Sequence, residues 1–322
     1  MLTIDLNENK QLVIVESARV QAKKEQLLIK VRAAGVNRAD LLQRQGHYPP
    51  PPGDSPTLGL EVCGEVVALG EGADKKWLGQ QVMALCAGGG YGQFVAVDQG
   101  HCLTLPSNFS ALEGAGFCEV FLTAYDALRQ YPGFGAGHTL LVHGGASGVG
   151  TAAIKLAKYF GAKVVVTVGN EQKRQACLQL GADVAINYRQ NDWWEQMRAE
   201  GLNADLVIDP VAGDYLNANL KVLAQDGKIV ILAMLGGRYC QQLDIARVLQ
   251  KRASIIGSTL RNRSSEYKTV LVKELHQRCE AGMLSGELTP VIDSVYPWRD
   301  ADQAHQRLAQ NANIGKVILV HK

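Results

Sequence analysis

Gly145, Ser147 and Gly150 stand at the three positions of a G-x-G-x-x-G pattern, with serine in the middle, inside the run HTLLVHGGASGVGTAAIKLAKYFGAKVVVTVGN at residues 138–170. Such a turn lets backbone N–H groups at a helix N-terminus approach a pyrophosphate, whose charge the helix dipole favours. A tight strand-to-helix turn would account for the glycines alone, so the flanking sequence decides. Before the turn lies the apolar run 139–143. After it Val149, Ala152, Ala153, Leu156, Ala157 and Phe160 recur at helical spacing, one apolar face against a sheet. A second strand follows at 163–168. The segment reads as a dinucleotide-binding unit in which Gly145, Ala146, Ser147, Gly148, Val149 and Gly150 line the phosphates. Ser147 either offers its hydroxyl to the phosphate or nicotinamide edge, or is a plain helix N-cap.

The choice of nicotinamide cofactor falls about twenty residues beyond the last glycine, where an acidic side chain would bind the ribose diol of NAD. Here the position holds Asn170, and residues 164–170 contain no acid. Lys173 and Arg174 follow, with Glu171 the only nearby negative charge, and Asn187-Tyr188-Arg189 ends the third strand where it can face the same pocket. A cationic, neutral-lined pocket suits the 2′-phosphate of NADPH. On the alternative reading, Lys173 and Arg174 lie on a solvated helix face.

The elements that must position these residues change texture near residue 120. Before it, short β-rich runs at 12–15, 27–31, 64–69, 82–85 and 94–97 are separated by Gly, Pro and Asn turns, as in an antiparallel barrel or sandwich. From 139 onward, apolar runs at 139–143, 163–168, 183–186, 204–208, 228–232 and 254–256 alternate with helical patterns, a βαβ series. The fold class is α/β: a β-rich domain followed by a doubly wound parallel sheet. The expected divisions are 1–119, 120–262 and a closing 263–322, whose last strand, Gly315-Lys-Val-Ile-Leu-Val320, has no vacancy in the six-stranded sheet and is expected to return to the first domain.

The composition narrows the partners. The chain has 322 residues, 47% hydrophobic and 20% charged, which accommodates roughly two domains of ~100–200 residues. Its net charge of +2 gives no ground for nucleic acid or an anionic membrane. No apolar run approaches the ~18 residues of a membrane helix. The opening MLTIDLNENK carries two acids and lacks a signal peptide's basic and apolar sections, so a cytoplasmic address is expected. Seven cysteines without a CxxC pair argue against a disulfide framework and a zinc knuckle.

Several motifs in fixed order carry a resemblance. They are Gly35-Val-Asn-Arg-Ala-Asp-Leu-Leu-Gln-Arg-Gln-Gly46 with Tyr48, Leu58-Gly-Leu-Glu-Val-Cys-Gly64, Leu122-Thr-Ala-Tyr-Asp-Ala-Leu128, the 144–150 turn and Asn313-Ile-Gly-Lys-Val-Ile-Leu319. Together they resemble the zinc-independent quinone oxidoreductase branch of the medium-chain dehydrogenase/reductase superfamily, closest to the p53-inducible quinone oxidoreductase type, over essentially the whole chain. The resemblance implies a GroES-like domain, a Rossmann domain, NADPH-dependent reduction of a small-molecule quinone, and a homodimer. Where the superfamily's zinc members place a cysteine, a histidine and a third ligand, this chain has Asn37, Leu60 and Glu119. Leucine cannot ligate a metal, and Cys86, Cys102 and Cys118 lack the close spacing of a structural zinc lobe, so no metal is expected.

The resemblance also implies that Asn37 and Tyr48 project toward the nicotinamide, Tyr48 as hydrogen-bond donor or gate; beside a Pro run Tyr48 could equally be loop packing. It places Thr123, Met234, Leu235, Gly236, Leu260, Arg261 and Asn313 among the cofactor contacts, although Asn313 would serve as a turn residue without any function. Quinones are electrophilic enough to accept hydride with little help, and the protein's share is orientation and a dry site. Enone or alkenal reduction with the same cofactor, or NADPH binding with little turnover, are the alternatives.

Overall fold

The computed structural model describes residues 1–190 and 192–321. The chain divides into two compact units, Met1–Leu122 with Leu260–Lys322, and Thr123–Thr259. The divisions after 122 and 259 differ from those expected at 119 and 262. A single helix, Cys118–Leu128, runs unbroken through the first of them.

The first unit opens with the hairpin β1 (Leu2–Leu6) and β2 (Leu12–Glu16), followed by β3 (Gln26–Val36), α1 (Arg38–Gln45), β4 (Glu61–Leu69), β5 (Gln81–Leu85), β6 (Phe94–Asp98), β7 (Cys102–Thr104), α2 (Ala111–Ala115) and the start of α3 (Cys118–Leu128). At 11 residues, β3 is long enough to pair along one edge with β4. Its other edge takes two strands in turn, β6 beside Gln26–Lys30 and the chain's last strand beside Ala33–Val36. Buried Leu27, Ile29 and Val31 give way to Ala34 and Val36 in the same core cluster. The parity switches because the register with β4 shifts between Val31 and Ala33, a bulge that leaves Arg32 exposed and turns the far end of β3 over. That turned end carries the chain into Asn37.

The second unit contains β8 (Thr139–His143), α4 (Gly148–Tyr159), β9 (Lys163–Val168), α5 (Glu171–Gln179), β10 (Val184–Asn187), α6 (Trp193–Ala199), β11 (Ala204–Asp209), α7 (Tyr215–Val222), β12 (Leu223–Ile231), α8 (Ile245–Lys251) and β13 (Ser254–Gly257). The six strands are parallel in the order β10-β9-β8-β11-β12-β13. Leu141, Val165, Ile186, Val207 and Ile229 fill one face beneath Trp193, Met197 and Leu220. From β8 the chain winds first to one side and then, from β11, to the other. The carboxyl ends of β8 and β11 therefore form the switch point at which doubly wound sheets bind ligands.

The chain then returns to the first unit through α9 (Ser265–Leu284), β14 (Ile292–Pro297), α10 (Ala301–Ala309) and β15 (Lys316–Val320). The larger sheet runs β14-β15-β3-β4-β5-β7, so the closing strand lies between β14 and β3. Among the described residues no helix is long and apolar enough to cross a membrane.

Candidate functional site

In the second unit the turn after β8 is built as a close cradle. A β-carbon on Gly150 would lie 2.4 Å from the Gly144 carbonyl oxygen, and one on Gly145 would lie 2.6 Å from Val166 Cβ. Both positions demand glycine because a strand and a helix start meet there at contact distance, and Gly144 itself has φ of 69°. Ser147 caps α4: its Oγ accepts from the Gly150 N–H at 3.0 Å. The N-cap reading of Ser147 is thus realised, and the exposed hydroxyl keeps its own proton to donate. Ala146, Gly148 and Val149 complete the turn, whose first helical N–H groups have no intrahelical acceptor.

At the end of β9, Asn170 caps α5 by accepting from the Lys173 N–H at 2.8 Å. Arg174 is committed to Glu171 by two hydrogen bonds of 2.8 Å, which hold the glutamate well down, at about 2. The Glu171 carboxylate is therefore matched by its own arginine. Opposite stands Tyr188, whose hydroxyl lies 2.8 Å from where a Gly169 β-carbon would be, with Arg189 Nε 3.7 Å from the same point. Arg189, beside Tyr188 in the sequence, is a cation on this rim.

The loops after β11 and β12 are tied together. Gly236 N–H donates to the Val211 carbonyl at 2.7 Å and Leu235 N–H to that of Pro210 at 3.1 Å, leaving the side chains of Met234 and Leu235 exposed. A buried relay holds this edge. His143 accepts from Thr167 at 2.9 Å and donates to Asn219 Oδ1 at 2.7 Å, Asn219 donates to Asp209 at 2.8 Å, and Asp209 accepts from the N–H groups of Val211 and Ala212. Burial pushes the His143 pKa down, which keeps the ring neutral as these roles require. Thr123 opens this unit, within α3.

In the first unit a buried ion pair occupies the place of interest. Lys316 Nζ lies 2.6 Å from Glu61 Oε1, 2.6 Å from Asn37 Oδ1 and 3.0 Å from the Val36 carbonyl. Asn37 Nδ2 donates to Glu61 at 3.0 Å and its backbone N–H to Asp40 at 2.8 Å, so the amide is spent inside the protein. Glu61 Oε2 accepts from the Glu119 N–H at 2.9 Å. Burial, and then the Glu61 carboxylate, raise the Glu119 pKa to about 8. Among the described residues, Tyr48 makes no hydrogen bond through its hydroxyl, and Arg261 lies with its guanidinium carbon 5.5 Å from the Tyr48 ring centre. Leu260 is buried beside it, and Asn313 is buried with its amide donating to the Gly315 carbonyl at 2.7 Å. The Lys316–Glu61 pair was not foreseen from the sequence. Its one signal is a lysine opening an otherwise apolar strand.

The residues at the three positions where zinc members hold their metal do not form a ligand set. Asn37 is committed to Lys316 and Glu61, Leu60 is fully buried in the core, and among the described residues no three His, Cys, Asp or Glu side chains come together to hold an ion.

Comparison with known proteins matches residues 148–277 to the family "Zinc-binding dehydrogenase" and residues 23–107 to "Alcohol dehydrogenase GroES-like domain". The chain is 31% identical over 304 residues to a human quinone oxidoreductase, covering 92% of this chain and 90% of that one. Its fold superimposes on that of the quinone oxidoreductase from Thermus thermophilus, solved also in complex with NADPH, with a TM-score of 0.83 at 30% identity over 99% of this chain and 100% of that one. An NAD-dependent alcohol dehydrogenase structure superimposes with a TM-score of 0.85 at 27% identity, over 99% of both chains.

Proposed function

Since the chain belongs to the medium-chain dehydrogenase/reductase superfamily and is an oxidoreductase with a nicotinamide cofactor, we propose that it reduces quinones with NADPH and without a metal. The observation that carries the reading is the cradle at Gly144–Gly150, where neither Gly145 nor Gly150 admits a β-carbon, together with Asn170 in place of the acid that binds the NAD ribose. In this reading the turn amides hold the pyrophosphate, and Lys173, Tyr188 and Arg189 hold the 2′-phosphate. Met234, Leu235, Gly236 and Thr123 line the rest of the cofactor. When bound, the cofactor supplies the hydride. Tyr48 orients the acceptor with its unengaged hydroxyl, and Asn37, held by Lys316 and Glu61, acts as a positioning residue. Asn313 stiffens the turn before β15.

Metal independence is supported by Lys316, which sets a fixed ammonium 2.6 Å from both Glu61 and Asn37. A neighbouring divalent cation would meet that charge as repulsion. The resemblance further implies a cytoplasmic homodimer.

A steady-state screen of 1,4-naphthoquinone, simple enones and alkenals with NADPH, run before and after EDTA dialysis, tests the reading. Saturable oxidation of NADPH by the quinone, unchanged by EDTA, is expected. Faster turnover of the enone makes the protein an alkene reductase, cofactor binding with no turnover makes it a binding protein, and activity lost with stoichiometric zinc refutes metal independence.

A further inference from the structure

Arg261 and Lys268 are both buried, at 4% and 7% exposure, and neither is within ion-pair distance of a carboxylate among the described residues. They sit together, Lys268 Nζ donating to the Arg261 backbone carbonyl at 2.8 Å. Arg261 Nε donates to the Ala87 carbonyl at 2.9 Å and Nη1 reaches the Tyr48 carbonyl at 3.4 Å. Its Nη2 is buried with no partner. Buried cations are expected to be paired, and a buried donor left unmade costs free energy, so two such cations side by side call for an anion from outside the fold.

The neighbouring acids do not supply it. Glu119 keeps its proton at neutral pH, its pKa being raised to about 8 by burial and by Glu61. Asp40, raised to about 6, is spent on the N–H groups of Asn37 and Gly59 and on the Tyr91 hydroxyl. Asp54 attracts both cations but is exposed to solvent and, among the described residues, forms an ion pair with neither. Burial pushes the pKa values of Arg261 and Lys268 down, as expected of cations short of counter-charge. Next to them, the partly exposed Tyr48 ring, its hydroxyl unbonded, is the loosest cover on the Arg261 guanidinium.

We propose that Arg261 and Lys268 form an oxyanion-binding site beside Tyr48, and that the acceptor is an aromatic compound carrying a carboxylate or sulfonate. This rests on the reading of an aromatic acceptor above. The cations bind the anionic group and the Tyr48 ring packs on the aromatic plane.

The test is equilibrium binding of a pair of non-reducible probes, 2-naphthoate and its neutral isostere 2-naphthamide, to the full chain, followed by tyrosine and tryptophan fluorescence at low and high salt. Naphthoate should bind ~10–100-fold more tightly than naphthamide, as one charge-assisted contact allows. Arg261→Gln and Lys268→Met should each erase most of that ratio, Lys268→Met while leaving NADP+ binding within about twofold, and Arg261→Lys should retain much of it. Equal affinity for the two probes in the unmodified protein overturns the proposal, even if both neutral variants fail to fold. So does Lys268→Met losing NADP+ instead of naphthoate. Absence of quinone turnover in the separate screen touches only the reading of the activity, since these probes undergo no reaction.

Discussion

Glu119 is a carboxyl group whose chemistry departs far from its type. It sits at the start of α3 with its N–H on Glu61, and burial beside that carboxylate raises its pKa to about 8 from an ordinary 4.5. The folded chain thus holds a proton that the unfolded chain releases from about 4.5 upward. Between these values the folded state binds more protons, so stability falls as pH rises and levels off above about 8. Glu119→Gln removes the titration. Urea unfolding of the two proteins from pH 5 to 9 should show a shallower slope for the variant, which should exceed the unmodified protein by ~1–3 kcal/mol at pH 8, a figure reduced for partial exposure. An unchanged slope would mean that Glu119 ionises normally. None of this was legible in the sequence, where Glu119 stood out only as the third member of a zinc pattern that Leu60 had already broken. The causes are burial and then Glu61, 58 residues away along the chain. Asn37 was legible as important, and the structure spends its amide on Lys316 and Glu61.

At the scale of elements, the parallel sheet was the most legible part, because buried strands are continuous apolar runs and their helices keep one apolar face. Strands β8 and β9 begin and end where the pattern places them. The strands β1, β7 and β14 were not foreseen. They are short or lie at sheet edges, where one side is open and the apolar pattern thins. The start of β12 was missed because Leu223 pairs with Ala204 ahead of a register shift. The cradle after β8 was read from its glycines, and the distances say which of them is indispensable. Gly150→Ala sets a methyl 2.4 Å from the Gly144 carbonyl and 2.6 Å from that of Gly145. Relieving that clash moves the backbone by ångströms at the phosphate site, so cofactor affinity should fall by at least ~10-fold, with ~1–3 kcal/mol of stability lost. Isothermal titration with NADP+ alongside thermal unfolding checks both. Affinity kept intact would show that the cradle holds nothing.

For the whole molecule, the division of labour follows from topology. The second unit places the loops after β8, β9, β11 and β12 at one end of its sheet, and the first holds Glu119 on the Lys316–Glu61 pair and groups Tyr48 with Arg261 and Lys268. The long closing segment made the first unit hard to foresee in full. Arg261 and Lys316 lie far along the chain from Tyr48 and Glu61; the return of β15 to β3 brings back Lys316, and Arg261 is held by the Ala87 and Tyr48 carbonyls.

The central claim, a reductase that uses NADPH through a phosphate pocket on Asn170, Lys173 and Tyr188, is tested most directly by kcat/KM for NADPH against NADH with one quinone. The comparison covers the unmodified protein, Lys173→Ala and Asn170→Asp. Asp caps a helix as well as Asn does, so Asn170→Asp changes charge with little change in fold. One charge-assisted contact or more to the 2′-phosphate corresponds to a preference for NADPH of ~10–1000-fold, smaller at high salt. Lys173→Ala should lower kcat/KM for NADPH far more than for NADH, and Asn170→Asp should move the preference toward NADH. Equal use of both cofactors by the unmodified protein, or an equal loss for both on removing Lys173, would contradict the account.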